Sequence, residues 1–210
     1  MKYIFMAGAP GSKWSSVAKN IYYSPSIDRS DYHDDRTYYH DASGKRDLMH
    51  LGAYWDPGME FGKFFDRIER YTKEECEAEF DRPFAPDAPG VRIIKSHVFA
   101  NHLDYIKKLW PESPIVLVHR NDDACLGWWV KCGHFDISYP DYAEYYRDLK
   151  EMASIITKQN AGIVQAQDQY RPNMSTVNNN RELARALGIE LPPLEYEQYY
   201  HSNDIKVTII

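Results

Sequence analysis

Three short clusters in this 210-residue chain combine residue types that can move protons or hold anions. Lys95-Ser96-His97 comes straight after the β-branched run from Val91 to Ile94, so a buried strand would deliver an ammonium and an imidazole at its carboxyl end. His97 is the natural proton acceptor, because imidazole changes charge near neutral pH, and Lys95 is the natural positive charge beside it. Arg120 follows a second apolar run, Ile115 to Val118, and offers a planar fork suited to a phosphate. Pro10-Gly11-Ser12-Lys13-Trp14-Ser15 is a glycine-bearing turn whose backbone N–H groups can approach an anion closely. Each cluster also has a plainer explanation. Lys95 and His97 could leave the core for solvent, Arg120 could pair with Asp122 or Asp123, and the loop could be an ordinary strand-to-helix turn with a solvated Lys13.

The elements that must position these groups can be read from periodicity. Tyr3 to Met6 is a short buried strand, and Trp14, Val17, Ala18 and Ile21 recur at helical spacing. The loop between them is not a Walker A sequence, which needs Gly-Lys-Ser/Thr, whereas here Ser12 precedes Lys13 and Trp14 follows it. Asn101 is placed to cap a helix that ends at Trp110-Pro111, and Asp122 and Asp123 begin another carrying Leu126, Trp128, Trp129 and Val130. A helix is expected over Asp141–Asn160 with Gly162 as its stop, then a strand over Ile163–Ala166. Asn178 is expected to cap a last helix ending at Gly188, before Pro192-Pro193, and Val207 to Ile210 to add an edge strand. Continuous apolar strands alternating with helices indicate an α/β fold, a parallel central sheet flanked by helices.

From Tyr22 to Pro89 the chain is polar and rich in tyrosine and histidine, with turn signals at Ser24-Pro25, Ser43-Gly44, Asp56-Pro57-Gly58 and Asp81-Arg82-Pro83. Phe61, Phe64, Phe65 and Ile68 mark an amphipathic helix, and Thr72 with Glu75 a capping box. This loop-rich insertion after the first helix is the expected acceptor wall, with Tyr22, Tyr23, His33, Tyr38, Tyr39, His40, His50, Tyr54 and Trp55 as candidates. The histidines lack the i, i+4 spacing of a helical metal site.

Composition bounds the rest. One domain accounts for 210 residues, and a net charge of −6 gives no general affinity for nucleic acid or an anionic membrane, so any bound anion must meet a local basic pocket. Cys76, Cys125 and Cys132 are odd in number and widely spaced, against a disulfide framework or structural zinc, and Cys125 and Cys132 read as core packing. The brief apolar start, ended by Gly8, Pro10 and Gly11, is too short for a signal or membrane segment; a soluble, cytoplasmic chain is expected.

In this order the clusters resemble the sulfotransferases that use 3′-phosphoadenosine 5′-phosphosulfate (PAPS) as sulfuryl donor. In cytosolic members one strand ends in Lys-Thr-His and a second in Arg-Asn before a helix with small and aromatic residues; here these are Lys95-Ser96-His97, Arg120-Asn121 and Gly127-Trp128-Trp129. The loop Pro10-Gly11-Ser12-Lys13 is similar to the family's 5′-phosphosulfate loop, Pro-Lys-Ser-Gly-Thr-Thr. Motif matches cover about a quarter of the chain. The resemblance implies a P-loop-like three-layer sandwich and sulfuryl transfer to a hydroxyl or amine of a small-molecule or carbohydrate acceptor, with no metal required. His97 would be the general base, Lys13 or Lys95 would stabilise the leaving oxygen, and Pro10 to Ser15 would cradle the 5′-phosphate. Arg120 would select the 3′-phosphate, with Gly127 or Trp128 at the position of a family serine. The chain departs from the pattern in three places: the loop lysine falls on Gly11, that serine is missing, and no carboxyl-terminal Arg-Lys-Gly segment is present. A nucleotide kinase and a non-catalytic carbohydrate- or partner-binding relative are the alternatives. Acceptor and oligomeric state are not encoded legibly.

Overall fold

A computed structural model describes residues 1–36, 38–39, 49–133, 141–191 and 204–210. Strand β1 (Tyr3–Gly8) is buried throughout, with alternate side chains in two different clusters: Ile4 and Met6 in one, Tyr3, Phe5 and Ala7 in the other. A strand buried on both faces needs helices on both sides. Helix α1 (Trp14–Tyr22) supplies Trp14, Val17 and Ile21 to the first cluster. Strands β2 (Tyr38–Tyr39) and β3 (Met49–His50) pair antiparallel, and α2 (Lys73–Asp81) gives Cys76 and Phe80 to the second cluster. There follow β4 (Arg92–Lys95), α3 (Leu103–Leu109), β5 (Ile115–Arg120), α4 (Asp122–Lys131), α5 (Tyr142–Tyr145), α6 (Leu149–Gln169), β6 (Ser175–Val177), α7 (Asn180–Leu187) and β7 (Ile205–Ile209).

The main sheet has the order β4-β1-β5-β7-β6. The first three strands are parallel, while β7 runs antiparallel to both β5 and β6. The chain is thus a mixed α/β protein whose parallel centre brings the carboxyl ends of β1, β4 and β5 side by side, at the edge where open sheets carry their ligands. No helix among the described residues is long and apolar enough to cross a membrane.

Several boundaries differ from the sequence expectation. Ile163–Ala166 is not a strand and Gly162 is not a stop; both lie inside α6, which Asp148 caps by accepting the Glu151 N–H at 2.7 Å. Glycine persists there because a Cβ at residue 162 would sit 2.1 Å from the Ala100 carbonyl oxygen, so tertiary packing and not termination fixes it. The expected start of that helix, near Asp141, is the separate short α5. Strand β7 is interior and β6 forms the edge, because β7 inserts between β5 and β6. Asn179, not Asn178, caps α7. Asn101 ends a short 3-10 turn, Val98–Asn101, and α3 starts without a side-chain cap. Phe61 to Ile68 form no α-helix: Phe61 packs on Trp55, Phe64 is exposed, and a kinked 3-10 run occupies Phe65–Arg70. The Thr72–Glu75 capping box and the αL stop at Gly188 are present as read.

Candidate functional site

The glycine-bearing loop leaves β1 at Gly8, whose own side-chain position is closed: a Cβ there would meet Ser12 Oγ at 2.7 Å and Trp14 Cβ at 2.9 Å. Gly11 and Lys13 both adopt left-handed backbone, with φ of 78° and 63°. For lysine this is strained, and left-handed residues in a turn are the kind of backbone that can form an anion-binding nest. The N–H groups of Gly11, Lys13, Trp14 and Ser15 have no acceptor among the described residues, and the buried hydroxyls of Ser12 and Ser16 have no hydrogen-bond partner there. Such a set, at the amino end of a nine-residue helix, has the chemistry of an anion cradle. Pro10 is buried in the same turn.

His97 stands at the end of β4 with 2% of its surface exposed, and its Nδ1 lies 2.5 Å from the Gly8 carbonyl oxygen. A carbonyl only accepts, so Nδ1 carries the proton and the lone pair of the neutral ring is on Nε2. The imidazole is walled by aromatic rings: Trp14 at 4.3 Å between centroids, and Tyr54, edge-on, at 5.9 Å. His50 stacks on Tyr54. The backbone beside the imidazole is held by Asp56, whose Oδ1 accepts from Ser96 Oγ at 2.6 Å and from the His97 N–H at 2.9 Å. Burial pushes the Asp56 carboxyl up to about 7, against the opposing effect of its hydrogen bonds.

Arg120 lies at the end of β5 and reaches the same loop from the other side. Its guanidinium donates to the Gly11 carbonyl at 3.1 Å and to Asp204 at 2.6 Å. The ion-pair partner is thus Asp204 of the carboxyl-terminal segment and neither Asp122 nor Asp123; Asp122 takes hydrogen bonds from Asn160 and Thr157. Asn160, on α6, also donates to the Arg120 carbonyl at 2.8 Å. The loop is pressed so closely on α4 that a Cβ on Gly11 would lie 2.0 Å from the Cys125 carbonyl oxygen. Lys13 sits over the Trp128 ring at 4.8 Å, and Lys131 over the same ring at 5.6 Å. Burial, then the positive charge of Arg120, lower the Lys13 pKa.

The two lysines therefore have different surroundings. Lys95 is buried, with its ammonium donating to the Leu51 carbonyl near the Tyr22 ring. Burial lowers its pKa to about 8, against the attraction of Asp31. Asp31 in turn accepts from Tyr22 at 3.0 Å and from the Ala53 N–H at 2.7 Å. Lys13, not Lys95, shares the basic cluster with Arg120. Gly127 faces open space, and Trp128 occupies the Lys13 side of α4. Cys125 is buried as read, whereas Cys132 is only half-buried.

Of the expected acceptor wall, His50, Tyr54 and Tyr22 line this buried region, Trp55 packs on Phe84 away from it, and His33 and Tyr23 are exposed. Tyr38 and Tyr39 are described only as backbone, and His40 lies outside the described residues. Sequence reasoning missed Asp56, Asn160 and Asp204. Asp56 was visible only as turn punctuation before Pro57-Gly58, and nothing local marks the others. One surface cleft, of about 540 Å³, runs between Pro57–Met59 and Tyr145, apart from the loop. Family models, curated proteins and solved structures yield no match to this chain.

Proposed function

We propose that this chain is a PAPS-dependent sulfotransferase with a P-loop-like fold. The observation that carries the reading is that a single loop, residues 8–15, is hydrogen-bonded to the imidazole through the Gly8 carbonyl and to the guanidinium through the Gly11 carbonyl. The two groups thus flank one anion cradle, the arrangement a bis-anionic nucleotide requires.

In this reading the free N–H groups of the loop hold the 5′-phosphate, Arg120 and Lys13 meet the remaining negative charge, and His97 Nε2 takes the proton from the acceptor hydroxyl or amine. A new bond forms from the acceptor atom to sulfur as the bond from sulfur to the bridging oxygen breaks, and the electron pair leaves on that oxygen as 3′-phosphoadenosine 5′-phosphate. Lys13 is the cation placed for the departing oxygen. Lys95 has a structural part, pinning Leu51 across the strand ends.

A calorimetric titration with 3′-phosphoadenosine 5′-phosphate should show binding well above that of adenosine 5′-phosphate, and labelled donor should then pass its sulfur to a member of an acceptor panel. Absence of nucleotide binding would end the proposal. The Arg120–Asp204 pair favours one rival, a non-catalytic relative whose phosphate site is internally filled; that protein would neither bind the nucleotide nor transfer label.

A further inference from the structure

One buried acid near the candidate base has no part in the proposal so far. Asp56 is fully buried, and no cation pairs with it among the described residues. Its Oδ1 gathers three donors from consecutive residues: Ser96 Oγ–H at 2.6 Å, the His97 N–H at 2.9 Å and the Val98 N–H at 3.4 Å. Its Oδ2 accepts from Tyr146 at 3.1 Å. The three donors belong to the turn that leads from β4 into Val98–Asn101, so the carboxylate fixes the backbone from which the His97 ring reaches the Gly8 carbonyl.

We propose that Asp56 is the positioning residue for His97: it holds the 96–98 turn so that the imidazole keeps its Nδ1–H on the Gly8 carbonyl and aims Nε2 at the acceptor. The inference deepens the sulfotransfer reading and rests on it for the acceptor, but the positioning itself is a property of the free protein. The positioning works through the carboxyl oxygens and not through the charge: Oδ1 holds the three donors of the turn and Oδ2 the Tyr146 hydroxyl. Tyr54, Tyr142, Tyr145 and Tyr146 face it, all neutral phenols whose ionisation its charge opposes.

The test compares Asp56→Ala with Asp56→Asn. Asparagine retains an oxygen for the three donors and loses the charge; alanine loses both. In nitrogen-15 histidine spectra of the protein alone, wild type and Asp56→Asn should show His97 as a single Nδ1–H tautomer, and Asp56→Ala a mixture. In turnover, Asp56→Ala should lose about 10²-fold in kcat, as a misplaced catalytic group does, with the Kd for 3′-phosphoadenosine 5′-phosphate unchanged, while Asp56→Asn stays near wild type. An unaltered tautomer in Asp56→Ala overturns the proposal, as does loss of kcat in Asp56→Asn. Should the alanine variant fail to fold, the asparagine variant decides alone: tautomer and turnover both kept support positioning, and loss of either refutes it. Because the spectra need no nucleotide, a protein that binds no nucleotide yet shows the tautomer change would discard sulfotransfer and leave the role of Asp56 standing.

Discussion

The carboxyl ends of β4 and β5 flank one loop but are built on opposite plans. At the β4 end Asp56, Lys95, Ser96 and His97 are all buried under residues 50–56. At the β5 end Arg120, itself buried, shares its guanidinium between a carbonyl and Asp204, and only Lys13 and Trp128 are half-open to solvent. Under the proposed function the contrast would serve two tasks. A proton acceptor gains from a dry, fixed surround in which its dipoles need not reorganise. A nucleotide phosphate must enter and leave, so a group that held it would do better with a partner it can exchange, and Asp204 would be such a partner.

The largest effect that could break this division is at His97. Replacing it with alanine should lower turnover by about 10²–10⁴-fold, the usual worth of a general base, while nucleotide affinity in calorimetry stays intact. Equal loss of both would move the imidazole to the holding side.

The β4 end should also betray itself through pH. Asp56 is raised from 3.8 to about 7, so its neutral form is favoured by folding; that contribution is complete below about pH 4 and is lost as pH climbs through 7. Lys95 is lowered from 10.5 to about 8, so it adds stability above pH 10.5 that disappears as pH falls through 8. Together these groups make the β4 end least favourable between about pH 7 and 8. Asp56→Asn should flatten the acid limb by a few kcal/mol in denaturant titrations. Parallel curves for variant and wild type would mean that the carboxyl is not buried as a charge.

Arg120→Ala comes next. Losing a charge-assisted contact costs about 1.5–3 kcal/mol, so 3′-phosphoadenosine 5′-phosphate should weaken by that amount while adenosine 5′-phosphate changes little. Asp204→Asn should strengthen the former by freeing the guanidinium. If both nucleotides weaken alike in Arg120→Ala, the 3′-phosphate is held elsewhere.

Much of this scaffold was legible because strands buried on both faces write themselves as apolar runs, as in Ile115 to Val118, and because Thr72–Glu75 and Gly188 are local devices. His97, Arg120 and the loop were legible for the same reason: each ends such a run. What escaped was set by distant contacts. Asp204 is 84 residues from its partner Arg120, and Asp56 is 40 residues from Ser96. Gly162 shows the error most clearly. Locally it reads as a helix stop, yet it exists to let α6 lie on the Ala100 carbonyl, two residues from where the same helix places Asn160 against Arg120. One helix therefore braces both strand ends. Gly162→Ala should cost about 1–3 kcal/mol of stability through overpacking, despite alanine's better helix propensity, and a rise in Tm would show that the brace is loose.

The smallest effect bears on the strained residue of the β5 end. A glycine at residue 13 would accept φ of 63° without penalty, whereas lysine holds it at a cost of about 1 kcal/mol or more. Lysine nevertheless stands there, beside Arg120 and over Trp128, where under the proposed function its ammonium would add to the anion site. Lys13→Gly should therefore leave Tm equal or slightly higher and weaken nucleotide binding, a split that a residue chosen for folding would not give. A fall in Tm with affinity unchanged would instead assign Lys13 to packing on Trp128. In that case the half-open end would be as structural as the closed one, and the division between holding and proton transfer would rest on Arg120 alone.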